Sequence, residues 1–133
     1  MDFEYIKVIK SDLDDIDKAV SYVLEKLSSV IRNEEIMFNI RIVINEIVIN
    51  SYEHGNKCNR EKGINLKVCV NMDCIHINVK DEGDGINYIF NENRDINMTT
   101  SGRGLRIVEH LVDELEINNN EIRAKIKCET SDI

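Results

Sequence analysis

Three stretches of this chain combine residue types suited to holding a polar, charged ligand. The first is Glu46-x-x-x-Asn50-x-x-x-His54-Gly55. In a helix, spacings of four put Glu46, Asn50 and His54 on one face, each about 6 Å from the next along the axis. Such a line either serves a polar ligand lying on that face or is the solvated side of an amphipathic helix. The second is Asp81-Glu82-Gly83-Asp84-Gly85, directly after a strand-like run ending at Val79. Alternate glycines permit positive φ and let a ligand approach bare backbone, and the Asp81 carboxylate is placed to accept a hydrogen bond from an exocyclic amine. An ordinary acidic turn has the same composition, but three carboxylates within four residues repel one another and gain a turn little. The third is Thr99-Thr100-Ser101-Gly102-Arg103-Gly104-Leu105, which leads into an apolar-striped helix. Free N–H groups at a helix N-terminus bind anions, glycine lets phosphate oxygens reach them, and Arg103 adds charge. No lysine follows the second glycine, so this is not a G-x-x-x-x-G-K-[ST] loop, and it does not open a βαβ dinucleotide unit. A capped helix after a loop would also read this way.

The elements that must position these stretches follow from hydrophobic period. Residues 3–10 alternate loosely, as an edge strand does. Ser11 is the expected N-cap of a helix whose apolar residues Leu13, Ile16, Val20, Val23, Leu24, Leu27 and Ile31 repeat at 3.6. Asn33 with Glu34 and Glu35 starts a second helix, expected over 34–54, with a buried stripe of Ile36, Ile40, Val43, Ile44, Ile47 and Val48. Gly55-Asn56 is its expected terminator. Ile64, Leu66, Val68, Val70 and then Ile75, Ile77, Val79 alternate around Asn71-Met72-Asp73, an antiparallel hairpin. A polar stretch, 81–103, precedes a short helix expected over 103–112, with apolar Leu105, Val108, Leu111 and Val112. A second hairpin joins 115–117 to 122–126 through three asparagines. The order predicts an α+β fold in a single domain, 1–133, with helices on one face of a mixed, mostly antiparallel sheet.

Composition agrees with that reading. The chain has 133 residues, 25 acidic and 17 basic, for a formal net charge of −8. An acidic balance argues against broad affinity for nucleic acid or anionic membrane. The longest apolar runs, such as Ile42-Val43-Ile44, fall far short of the ~20 residues of a membrane span. The Met1-Asp2-Phe3-Glu4 start lacks a signal-peptide pattern, so a cytoplasmic location is expected. Cys58, Cys69, Cys74 and Cys128 include no C-x-x-C pair and are expected to be reduced packing residues, not zinc ligands.

In this order and spacing, the three stretches resemble the N, G1 and G2 boxes of the GHKL ATPase superfamily. Asn45-Glu46-Ile47-Val48-Ile49-Asn50-Ser51-Tyr52-Glu53-His54-Gly55 narrows the resemblance to the bacterial anti-sigma factor serine/threonine kinases, and it covers almost the whole chain. It implies a two-layer α/β sandwich of the Bergerat (histidine kinase-like ATPase) type, with ATP and Mg²⁺ as ligands. It further implies Glu46 as general base and Asn50 as the Mg²⁺ ligand, Asp81 on the adenine amino group, and Gly83 and Gly85 shaping that pocket. Thr100, Ser101, Gly102, Arg103, Gly104 and Leu105 are implied along the phosphates, and residues 86–101 as a lid. Thr-Thr-Ser stands before Gly102 where some members carry an arginine, with Arg103 and Arg94 the nearby basic residues. His54 is expected to pack or cap the helix end. The implied function is an anti-sigma factor that phosphorylates an antagonist on serine and sequesters a sigma factor, and homodimerisation is implied as well. A non-catalytic ATP-binding switch of the same fold is the alternative; Glu46 favours the kinase. A sensor histidine kinase or a mechanochemical ATPase is disfavoured, since no phosphoacceptor helix pair precedes these boxes and no transducer domain follows them.

Overall fold

The structure is a computed structural model that describes residues 3–85 and 100–133, with side chains of the second stretch from residue 104 onward. Strand β1 (Phe3–Lys10) is followed by helices α1 (Leu13–Val30) and α2 (Glu34–Asn50) and a π-helical turn (Ser51–Gly55). Then come β2 (Gly63–Val70), β3 (Cys74–Lys80), α3 (Thr100–Leu111), β4 (Glu114–Asn118) and β5 (Glu121–Lys127). The strands form one sheet in the order β1-β2-β3-β5-β4, and all of its described ladders are antiparallel.

Alternation decides which face is covered. Ile64, Leu66, Val68 and Val70 of β2, Ile75, Ile77 and Val79 of β3, and Ile122, Ala124 and Ile126 of β5 are all buried. Each fully buried aliphatic side chain contributes roughly 1.5–3 kcal/mol. Their pleat neighbours Lys67, His76, Asn78, Arg123 and Lys125 point to the other, open face. There Lys125 pairs with Glu114 at 3.1 Å and Arg123 with Glu121 at 3.0 Å. Helix α2 packs against α1, α3 and β3. It buries Met37, Ile40, Val43, Ile44, Ile47 and Val48, so packing outweighs the low helix propensity of its β-branched run. The second hairpin crosses to join β5 to β3, Ile77 opposite Ala124.

Turn chemistry sets the joints. Asn33 caps α2 as expected, its Oδ1 accepting from Ile36 N–H at 3.0 Å. The Asn33 amide also donates to Asp132 Oδ1 at 2.9 Å, which ties the chain's last turn to the α1–α2 junction. Asn71 Oδ1 accepts from the Asp73 and Cys74 N–H groups at 2.9 Å and closes the β2–β3 turn. Asn119, with φ 55°, turns the β4–β5 hairpin.

Three local expectations need correction. Ser11 is not the cap of α1: Asp12 holds that position, while Ser11 is fully buried and receives a long-range hydrogen bond from Asn56. The Asp12 carboxylate makes no cap bond because Arg60 takes it at 2.7 Å. The second helix does not run on in α geometry to 54; it widens into π geometry at Ser51. Finally, α3 begins at Thr100, not 103, so Thr100, Ser101 and Gly102 occupy its first turn. First-turn N–H groups have no partner within a helix, which is the property the expected phosphate contacts require.

Candidate functional site

The end of α2, the segment after β3 and the start of α3 meet on the helical side of the sheet. Asn50 closes α2 and is 7% exposed; Asp81 follows β3 and is 3% exposed. Gly55 and Asp81 touch: a Cβ on Gly55 would fall within the Asp81 carboxylate. Gly83 lies on the Gly55 carbonyl, and a side chain there would collide with that backbone. One turn apart on α2, Asn50 adjoins Ser51 at the helix end, whereas Glu46 faces α3, with its Oε2 2.5 Å from where a Cβ on Gly104 would be.

Three buried side-chain oxygens of the described residues have no hydrogen-bond partner: Asn50 Oδ1, Ser51 Oγ and Asp81 Oδ2. Buried polar atoms are nearly always paired. Three orphans, two from adjacent residues and the third from a side chain near Ser51, offer a polar ligand the partners that the fold does not supply. Their chemistry differs usefully. The Asn50 carbonyl oxygen is a hard donor for Mg²⁺, and a carboxylate oxygen at Asp81 accepts from an amine. The other Asp81 oxygen, Oδ1, is already occupied by the Gly83 N–H at 2.7 Å. The carboxyl is therefore oriented with one oxygen left over.

Burial raises the Asp81 pKa above the ordinary aspartate value. The Gly83 N–H, the nearby Ser51 hydroxyl and Lys62 pull it back down, but none of these satisfies Oδ2. An acid with a raised folded pKa stabilises the fold below its unfolded pKa, and that contribution fades as pH rises through the folded value. Ionisation of Asp81 therefore costs the ligand-free protein stability. A buried carboxyl with one oxygen unpaired and a raised pKa makes Asp81 a candidate functional group.

The two G1 glycines serve different ends. Gly85 has φ +111° and lies over Asn119, so it uses the left-handed freedom expected of it. Gly83 is needed for space, not φ. Gly55 likewise does not end its helix in a left-handed conformation; it makes room for Asp81, and Lys57 (φ 51°) and Cys58 (φ 60°) turn the chain instead.

Of the other expected site residues, Gly104 is half-buried beside Glu46. The Leu105 side chain is 2% exposed, in the core beside Val108, so only its backbone can face a ligand. Thr100, Ser101, Gly102 and Arg103 are placed in the first turn of α3. The expected lid, 86–101, lies outside the described residues except for its last two. His54 has a half-exposed side chain 3.8 Å from Glu53, and it neither caps the helix nor joins the orphaned oxygens. Sequence reasoning missed Ser51, whose only signal was its place next to Asn50, and Asn56, which was read as a helix terminator.

Residues 9–127 match the histidine kinase-like ATPase domain family. The chain belongs to that family. As a histidine kinase-like ATPase domain it carries the α+β fold expected from its boxes, with a capacity for ATP and Mg²⁺. The domain is also similar to the anti-sigma F factors of Bacillus thuringiensis (strain Al Hakam), Bacillus mycoides (strain KBAB4) and Bacillus cereus (strain AH187). Identity to each is 32% over 93 residues, covering 65% of this chain. The aligned region spans 63% of the length of these relatives. No helix of the described residues is long and apolar enough to cross a membrane.

Proposed function

We propose that this chain, acting as one domain over 1–133, is an anti-sigma factor with ATP-dependent protein-serine kinase activity. In this reading it phosphorylates an anti-sigma factor antagonist, holds a sigma factor, and works as a homodimer in the cytoplasm. The observation that carries it is the trio of unpartnered buried oxygens on Asn50, Ser51 and Asp81, with Glu46 one helical turn from Asn50 and facing α3. Similarity to proteins named anti-sigma F factor supports the choice of partners.

The division of labour follows from the chemistry of each group. Asp81 Oδ2 accepts from the adenine amino group, because its other oxygen is held by Gly83. Gly83 and Gly85 keep that pocket free of side chains. The first-turn N–H groups of α3, with Thr100, Ser101, Gly102, Arg103, Gly104 and the Leu105 backbone, receive the phosphates. Asn50 Oδ1 would hold Mg²⁺, which when bound supplies charge neutralisation across the phosphate oxygens. Glu46 takes the proton of the acceptor serine hydroxyl as the serine oxygen bonds to the γ-phosphorus. The bond from that phosphorus to the β–γ bridging oxygen breaks, and ADP leaves with its electron pair. Most of the acceleration in such a transfer comes from positioning and charge, for which one helical turn between base and metal ligand is well suited.

The test is to incubate the protein with γ-labelled ATP, Mg²⁺ and a candidate antagonist protein, then analyse phosphoamino acids. Label on serine of the added protein is the expected result. ATP binding without any transfer would replace the kinase with the alternative, a regulatory switch that uses nucleotide only to change partner affinity.

A further inference from the structure

Asn56 is fully buried, and its side chain makes three hydrogen bonds to three separate parts of the chain. Its Nδ2 donates to Ser11 Oγ at 2.7 Å and to the Gly63 carbonyl at 2.9 Å; its Oδ1 accepts from the Glu82 N–H at 2.7 Å. On the opposite side of the same segment, Asn120 in the β4–β5 turn brackets Asp81. The Asn120 Nδ2 donates to the Asp81 carbonyl at 2.5 Å, and the Asp81 N–H donates to the Asn120 carbonyl at 3.0 Å. Neither asparagine hydrogen-bonds the Asp81 carboxyl. Together they fix the backbone on both sides of it, and Gly83, which orients Oδ1, follows directly after the residue that Asn56 holds.

We propose that Asn56 and Asn120 are positioning residues that aim the free oxygen of Asp81 at the nucleotide base and so set its preference for adenine. The inference rests on the ATP-binding reading above. Adenine presents a donor at its 6-amino group, whereas guanine presents a 6-oxo acceptor that an anchored carboxylate repels. Discrimination of that kind depends on the carboxylate being held still. Without the Asn56 oxygen, the Glu82 N–H is left unpaired in a part-buried turn, and residues 82–83 are free to shift with Asp81.

Two variants, Asn56→Ala and Asn120→Ala, are compared with Ser11→Ala, which removes one partner of Asn56 and leaves its bond to Glu82. Kd for Mg·ATP and Mg·GTP is measured by calorimetry, with folding checked by circular dichroism at the same temperature. Each positioning variant is expected to weaken ATP about tenfold and GTP little, so that the ATP-over-GTP ratio falls; Ser11→Ala stays within about twofold of wild type. Mere destabilisation lowers the fraction of binding-competent protein but leaves Kd and the ratio of the folded fraction unchanged. An unchanged ratio in folded Asn56→Ala and Asn120→Ala therefore overturns the proposal. Should Asn56→Ala be recovered unfolded, Asn120→Ala, at a half-buried turn, decides alone. Wild-type protein that binds no ATP would instead overturn the nucleotide reading itself.

Discussion

Glu46→Gln is expected to keep nucleotide affinity within about threefold of wild type and to slow transfer to protein serine by about 10³-fold. The amide is isosteric with the carboxylate and still fits against Gly104, where Glu46 Oε2 lies 2.5 Å from the position of a Cβ. Packing between α2 and α3 is therefore preserved. What is lost is the ability to take a proton from the incoming hydroxyl, a contribution of typically 10²–10⁴-fold. The measurement is single-turnover transfer of labelled phosphate at saturating ATP, beside a calorimetric Kd. Transfer at the wild-type rate would remove Glu46 from the role of base. A large loss of affinity with the transfer step intact would make it a binding residue instead.

Asp81→Asn has two opposite effects, and the pair is more telling than either alone. Nucleotide affinity is expected to fall by about 10–100-fold, the magnitude of a buried charge-assisted hydrogen bond. The ligand-free protein, by contrast, is expected to become more stable by about 1 kcal/mol, which for a domain of this size raises Tm by a few degrees. The reason is that Asp81 is buried with Oδ2 unpartnered, and its pKa is raised by that burial. An amide carries no charge to desolvate. Its oxygen can still accept from Gly83. The gain should be largest at neutral pH and shrink in acid, where the wild-type carboxyl is itself protonated. Thermal melts from pH 4 to 7.5, with and without ATP, read both effects. A less stable Asp81→Asn would mean that the carboxylate is paired in the fold and held there for structure.

The elements were legible in the sequence because their signals are local. A 3.6 period marked α1 and α2, alternation marked both hairpins, and Asn33 followed by two glutamates gave the α2 cap that the structure shows. The three boxes placed Glu46, Asn50, Asp81, Gly83 and Gly104 in segments that converge. What escaped was non-local. Ser11 looks like a cap in sequence, but its hydroxyl is claimed by Asn56, 45 residues away. The Gly55-Asn56 pair looks like a helix terminator, yet the glycine is required by a carboxylate from beyond the next hairpin, and the asparagine bridges three segments. The π turn at Ser51 has no composition of its own. It ends at Gly55, which lies against Asp81 and Gly83. Pairing of β3 with β5, and hence the strand order, depends on which faces are left to bury once the hairpins form, and no local pattern encodes that.

We propose that the ends of α2 and β3 and the start of α3 form one site for magnesium-bound ATP. Titration calorimetry of the wild-type chain with ATP, in the presence and absence of Mg²⁺, tests it most directly. One nucleotide per chain, bound more tightly with Mg²⁺ than without and competed by ADP, is the predicted result. No heat and no retention of labelled ATP in equilibrium dialysis, from protein shown to be folded, would contradict it.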